Sequence, residues 1–340
     1  MKILSDFSLN ELKEELSGLP SFRAKQVFDA IIQAKDYDKL ALPKNDIDTL
    51  KNDYILKPVS IFKTLISKDG TKKYLLKLHD DNIVECVFLK QDYGNTICMS
   101  TQVGCRMGCK FCASTSNGLI RNLSSGEMIS TIATVNADNG NYTKRNFTNI
   151  VLMGSGEPFD NYDNVVKFLN LITNKDGFNV SERNISLSTC GLVDKINEFS
   201  SLNFNITLCV SLHATTDEMR KQIMPIANRY TIKEIVNSLK NYVKENKRRV
   251  VFEYCLIKDF NNTKDDVKRL KEITSNLLCH VNVICLNENG GSLKATTKAE
   301  ALNFVKELND NKISATLRRS QGSDIEGACG MLRAKTLKNK

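Results

Sequence analysis

The sequence predicts an α/β fold with a parallel sheet as its main body. Three observations carry this: strand-like apolar runs alternate with helix-patterned stretches beyond residue 92, hairpin punctuation fills the region before it, and the first residues repeat apolar side chains at three- and four-residue intervals. At the N-terminus Leu9, Leu12 and Leu16, then Phe22, Val27, Phe28, Ile31 and Ile32, stand at helical spacing, so residues 1–57 are expected to form a small helical domain. Residues 58–91 change texture. Apolar runs at 74–78 and 83–89, broken by Asp69-Gly70 and Asp80-Asp81-Asn82, predict a connecting β-hairpin region. The core, 92–325, places strands at 96–101, 150–153, 185–188, 206–212, 250–257, 281–286 and 315–318, with helices near 125–138, 161–173, 231–246, 264–277 and 297–310. Consecutive βαβ units satisfy that order either as an open, partial (β/α)6 barrel or as a doubly wound sheet, and both put chemistry at the C-terminal ends of the strands. Residues 326–340 form a short C-terminal segment with Cys329 and a basic tail.

At 340 residues the chain is long enough for one large domain with an appendage. No apolar run approaches the length of a membrane span, and Met1-Lys2-Ile3-Leu4-Ser5-Asp6 lacks the apolar stretch of a signal peptide, so no membrane association and a cytoplasmic location are expected. Eleven cysteines in such a chain suit reduced thiols used for ligation and redox chemistry better than a disulfide framework. A formal net charge of +9 favours a polyanionic partner. The basic residues gather at Lys244, Lys247, Arg248 and Arg249, at Arg318 and Arg319, and at Arg333, Lys335, Lys338 and Lys340. Each group alone suits a solvated surface; they favour RNA only together with the adenine chemistry that the resemblance below implies.

The most informative motif is Cys105, Cys109 and Cys112, a C-x3-C-x2-C triplet with Gly104 and Gly108 beside it. Three closely spaced thiolates can hold a cubic iron–sulfur cluster and leave one iron open, whereas a structural zinc site closes its shell with four ligands. A zinc site completed by Cys98 or a distant residue is the alternative. The three histidines, His79, His213 and His280, make no metal-ligand group by spacing, and two of them are expected to be structural. Gly154, Gly156, Glu157 and Pro158 follow a buried strand, where glycines let the backbone approach a ligand.

The triplet resembles that of the radical S-adenosylmethionine (SAM) superfamily. Four blocks in order narrow the resemblance to the RlmN/Cfr family of adenosine methyltransferases: Cys98-Met-Ser-Thr-Gln-Val-Gly-Cys105, Met153-Gly-Ser-Gly-Glu-Pro158, Ser211-Leu-His213 and Gly322-Ser-Asp-Ile-Glu-Gly-Ala-Cys329-Gly330. The resemblance spans essentially the whole chain and implies a partial (β/α)6 radical SAM barrel. It implies one 4Fe-4S cluster on Cys105, Cys109 and Cys112, and SAM, two molecules per turnover, bound through Gly156, Glu157, Ser188, Ser211, Leu212, His213 and Asn287. Cys329 matches the family's methyl carrier, Cys98 its resolving thiol, and Glu85 the carboxylate that removes the adenine C2 proton. The implied substrate is an adenosine of 23S rRNA, with tRNA as a second substrate, and the cycle needs an external electron donor and a disulfide reductant. Pro158 favours the C2-methylating branch over the C8-methylating one. A noncatalytic, zinc-stabilised RNA-binding protein would explain the charge but not Cys98, Cys329 or the strand-end motifs. Glu85 has a plain rival reading as an outward-facing residue of a half-exposed strand. Cys86, Cys190, Cys209, Cys255, Cys279 and Cys285 are expected to be small apolar fillers.

Overall fold

The computed structural model describes residues 1–140, 144–287 and 292–331. Two short parallel strands, β1 (Lys2–Ile3) and β2 (Tyr54–Ile55), bracket helices α1 (Leu9–Glu15), α2 (Ser21–Ile32) and α3 (Lys44–Asp53). A capping box fixes the start of α1: Ser8 Oγ accepts from the Glu11 amide and the Glu11 carboxylate accepts from the Ser8 amide. Leu12, Val27, Ile31 and Leu50 pack into the same apolar core as the main sheet. The chain entering α1 is pinned to that body at α4 (Ser125–Asp138), where Asp6 accepts from Ser125 Oγ and Ser5 Oγ donates to the Gly126 carbonyl. A Cβ on Gly126 would sit 2.6 Å from the Asp6 nitrogen, so the contact requires glycine.

The hairpin region is a three-stranded antiparallel meander, β3 (Val59–Ile66), β4 (Lys72–Leu78) and β5 (Ile83–Leu89), which joins β6 (Thr96–Met99) antiparallel. A separate small hairpin, β7 (Gln102–Gly104) and β8 (Leu119–Asn122), frames the cysteine triplet. Then come α4, β9 (Asn149–Leu152), α5 (Tyr162–Thr173), β10 (Ile185–Thr189), α6 (Val193–Ser200), β11 (Thr207–Ser211), α7 (Asp217–Ile223), α8 (Ile232–Asn246), β12 (Val250–Leu256), α9 (Lys264–Thr274), β13 (Cys279–Cys285), α10 (Lys298–Asp310) and β14 (Ala315–Leu317).

Ten strands share one sheet in the spatial order β3-β4-β5-β6-β9-β10-β11-β12-β13-β14, and β6 and β9 to β14 are parallel. Neighbours in space follow chain order without reversal. A doubly wound sheet needs a reversal at its switch point, so the doubly wound alternative fails and the open, partial barrel stands. β14 and β3 lie at its two edges and do not pair. All seven strand runs expected beyond residue 92 are present, together with the five expected helices; β1, β2, β3, β7, β8, α6 and α7 are additional.

The parallel strands hide a period-two pattern. Ile97, Ile150, Leu187, Leu208, Val210, Phe252, Tyr254 and Val281 are fully buried in the main core. Alternate residues form cross-strand rows on the opposite face: Cys98, Val151, Ser186 and Thr207; then Ser188, Cys209 and Val251; then Ser211, Glu253, Asn282 and Thr316. Parallel sheets covered on both sides are apolar on both faces. This inner face is polar because it lines the open mouth of the barrel.

Candidate active site

The triplet lies in the loop between β7 and β8, on a backbone bent by Gly104 and Gly108, both at positive φ (83° and 71°). A Cβ on Gly108 would meet Pro225 at 3.2 Å. Lys110 N donates to the Ile223 carbonyl at 2.9 Å, seating the loop on the end of α7, and Cys112 N donates to the Cys109 carbonyl at 3.1 Å. Cys105, Cys109 and Cys112 all line one cavity at the C-terminal ends of the parallel strands. Burial pushes the Cys105 thiol up to about 12 and Cys109 higher still, so thiolates here need a positive partner.

The facing wall holds Gly154, Gly156, Glu157, Ser188, Ser211, His213 and Asn287. Gly156 has φ 111°, and a Cβ on it would collide with Gln102 at 2.7 Å; one on Gly154 would lie 2.6 Å from the Met99 carbonyl carbon. These strand-end positions therefore require glycine. Glu157 is buried, and its carboxylate accepts from the Cys190 amide at 2.7 Å and the Phe159 amide at 3.1 Å. Burial raises its pKa while these bonds hold it down. His213, at φ 55°, accepts the Cys255 amide at Nδ1 (2.8 Å) and meets Phe111 edge-on at 4.4 Å. Burial and the nearby Arg220 push its pKa down to about 3, so it is neutral, and with Nδ1 accepting, the proton sits on Nε2. Leu212 does not reach the cavity wall; its side chain is in the core and its carbonyl accepts from Arg220 Nε at 3.3 Å.

Cys329 opens onto the same cavity. Its segment is held by Asn287 Nδ2, which donates to the Cys329 carbonyl at 3.0 Å, and by Ala113 N, which donates to the Gly330 carbonyl at 2.8 Å. Burial raises the Cys329 thiol, and the Arg318 guanidinium counters it. Cys98, on the inner face of β6, is pushed up to about 12 by burial and by the Cys329 charge, again opposed by Arg318. The two thiols are thus in electrostatic reach of each other around one cation, and all eleven cysteines are free. Arg318 itself lies 3.6 Å from Glu253, which accepts from Asn282 at 3.0 Å. Glu85 is buried off the cavity wall, its carboxylate 3.1 Å from Lys73 Nζ. It nevertheless shares the face of Cys98: Cys98 stands opposite Val87, two residues along β5 from Glu85.

Residues 99–273 match the family model of the Radical SAM superfamily. The chain is 47% identical to the dual-specificity RNA methyltransferase RlmN of Clostridium perfringens, over 100% of this chain and 99% of that protein. It is 46% identical to that of Clostridium acetobutylicum over 98% and 97%. A crystal structure of a radical SAM methyltransferase from Sphaerobacter thermophilus matches with a TM-score of 0.94 at 37% identity, covering 98% of this chain and 100% of that one. The chain belongs to the RlmN family of radical SAM RNA methyltransferases. It is therefore a SAM-dependent enzyme, and the superfamily's 4Fe-4S cluster and SAM are its implied cofactors.

The residues fit that cofactor pair. Among the described residues no three His, Cys, Asp or Glu side chains converge as ligands of a single ion, whereas the three thiols of the RlmN-family triplet share one cavity wall. Arg220 is fully buried and donates to the carbonyls of Cys190, Ser211 and Leu212; among the described residues it has no carboxylate within ion-pair distance, and its Nη1 has no partner. A buried cation in that state calls for an anion nearby, and a cluster held by thiolates supplies one.

Several residues of this site were not foreseen. Arg318, one of the basic residues that the sequence places with a solvated surface, faces the thiols; Arg319 is exposed. Glu253 and Arg220 had no local motif. Of the expected fillers, Cys190, Cys255 and Cys285 line the cavity itself. His79, 3.2 Å from Glu127, and His280, bonded to Ser314 and Thr316, lie off the cavity wall, as expected for structural histidines. The Lys244, Lys247, Arg248 and Arg249 group joins α8 to the start of β12, at the end of the strands away from the cavity. Arg333, Lys335, Lys338 and Lys340 lie outside the described residues.

Proposed function

We propose that the protein methylates C2 of an adenosine in 23S rRNA and in the anticodon loop of tRNA, in the cytoplasm, using two SAM molecules per turnover and Cys329 as the carrier of the carbon. Support comes above all from one observation: Cys329 opens onto the cavity lined by the three cluster cysteines, with Cys98 and Arg318 in electrostatic reach. RNA as substrate agrees with the net charge of +9 and with the names of the relatives.

Adenine C2 is an electron-poor ring carbon and does not displace a methyl group from a sulfonium. A cluster on Cys105, Cys109 and Cys112 would supply the electron that cleaves a bound SAM and so provides a hydrogen-abstracting radical. Gly154 and Gly156 open the strand end to SAM, Glu157, Ser188, Ser211 and His213 offer polar contacts, and Leu212 contributes through its backbone. Asn287 lies where it can hold both SAM and the Cys329 segment. The Cys329 thiolate, favoured by Arg318, first takes a methyl from SAM: its S–C bond forms as the sulfonium C–S bond breaks, releasing S-adenosylhomocysteine. The SAM-derived radical takes a hydrogen atom from the S-methyl group and leaves as 5'-deoxyadenosine, the resulting carbon radical bonds to adenine C2, and Glu85 takes the C2 proton while the one electron released would return to the oxidised cluster. Cys98 then attacks the Cys329 sulfur. The S–S bond forms as the bond to the RNA-borne carbon breaks, that carbon is protonated, and an external two-electron reductant restores both thiols.

The target base must be unpaired or flipped to enter such a cavity. Anaerobic turnover with labelled SAM and rRNA or tRNA fragments, followed by nucleoside mass spectrometry, tests the proposal. The expected product is 2-methyladenosine; 8-methyladenosine alone would reassign the chain to C8 chemistry, and an iron-free, zinc-loaded protein that binds RNA without turnover would make it a binding module.

A further inference from the structure

Lys73 is a buried lysine near the start of β4, 4% exposed. Lysine is rarely so buried without partners, and it has two. Its Nζ lies 3.1 Å from Glu85 Oε1 and donates to the Glu326 carbonyl at 3.1 Å. Glu326 is three residues before Cys329 and has a left-handed backbone, φ 54°, unfavourable for a residue with a side chain. That conformation is held from outside. Asp69 accepts from the Gly322 amide at 3.0 Å, and Asp324 accepts from Ser67 Oγ and from the Lys68 amide at 3.2 Å. Those anchors are at the loop's base, near the β3–β4 turn; of the three charged side chains that tie the loop to this turn and β4, Lys73 is the buried one, and its partner Glu326 is nearer in sequence to Cys329 than Gly322 or Asp324 is.

A buried ion pair contributes little net stability compared with apolar residues of the same volume, so stability alone is a weak reason for an ammonium here. What Lys73 does that an apolar residue cannot is bind two separate parts at once, the carboxylate on β5 and a main-chain carbonyl of the Cys329 loop. We propose that Lys73 is a positioning residue: its ammonium fixes the loop carrying Cys329 in register with Glu85, so that the thiol and the carboxylate approach one base from set positions. The inference rests on the roles given above to Cys329 and Glu85, but the contact it describes can be tested without turnover.

Hydrogen–deuterium exchange of the amides of 322–331 is compared among the wild type, Lys73→Gln and Lys73→Arg. Loss of a charge-assisted tie should speed exchange in the loop by about tenfold in Lys73→Gln. Core strands β10 and β11 should be unchanged, and Lys73→Arg should restore protection. The same variants are incubated with SAM without RNA and the Cys329 peptide is weighed: Lys73→Gln should gain the methyl about tenfold more slowly and Lys73→Arg near the wild-type rate. Wild-type loop protection and methylation in Lys73→Gln would overturn the inference while leaving the proposed function intact; a wild-type Cys329 that never gains a methyl would instead defeat the proposed function. Should Lys73→Gln not fold, acylation of the wild-type protein decides. Lys73 should stay unmodified while exposed Lys63 and Lys68 react, and equal labelling would also overturn it.

Discussion

Lowering the pH should destabilise the protein through His213 by an amount the structure sets. The imidazole is fully buried, accepts a backbone hydrogen bond at Nδ1 and lies near the Arg220 cation, and its pKa falls from 6.5 to about 3. Because the folded pKa is depressed, the unfolded chain binds the proton first as pH falls. The stability His213 confers as a neutral group is complete above about 6.5 and is lost progressively toward 3. Between pH 7 and pH 5 this linkage amounts to about 2 kcal/mol from one histidine. At roughly 2 °C per kcal/mol for a long chain, the melting temperature should drop about 4 °C from this source. Replacing His213 with Asn, which tolerates the left-handed backbone, removes the titration. Thermal melts of the apoprotein at pH 5, 6 and 7 provide the assay. Wild type minus variant should show the drop, and parallel pH profiles for the two proteins would refute a buried neutral imidazole.

Cys98→Ala should leave the carbon bound between Cys329 and RNA, so a covalent protein–RNA species should accumulate on denaturing gels; clean apoprotein would contradict the release step. Gly154→Ala drives a Cβ to 2.6 Å from the Met99 carbonyl carbon, and the overpacking should cost about 1–3 kcal/mol in denaturant melts and weaken SAM binding in calorimetry. Cys112→Ser should lower iron and sulfide content after anaerobic reconstitution without unfolding the barrel, as read by far-UV circular dichroism.

Most of the architecture could be read from the sequence because the parallel strands are continuous apolar runs separated by long amphipathic helices. α7 has seven residues with Met219 and Ile223 as its apolar pair, and α6 has eight with Ile196 and Phe199, too few repeats to declare a helical period. β3 lies at a sheet edge with most of its side chains exposed, so burial left no alternation to see. The cysteine triplet was legible because its ligands are local. Arg318, Glu253 and Arg220 were not, because each is a single charge inside or just past a strand or helix that only the curved sheet and its helices bring to the thiols. The sign available in the sequence was polar residues at every second position, Ser186, Ser188, Ser211, Glu253 and Asn282, inside runs otherwise apolar enough to be read as buried on both faces. Glu85 was found by resemblance alone, and its carboxylate lies off the cavity wall against Lys73.

In the proposed function, three thiols present one open metal site to SAM beside a fourth thiol that carries the transferred carbon. Electron paramagnetic resonance of the anaerobically reconstituted and reduced protein, recorded with and without SAM, tests this most directly. A single 4Fe-4S signal that changes when SAM is added is the predicted result; a signal indifferent to SAM, or a protein that takes up zinc and no iron, would contradict it.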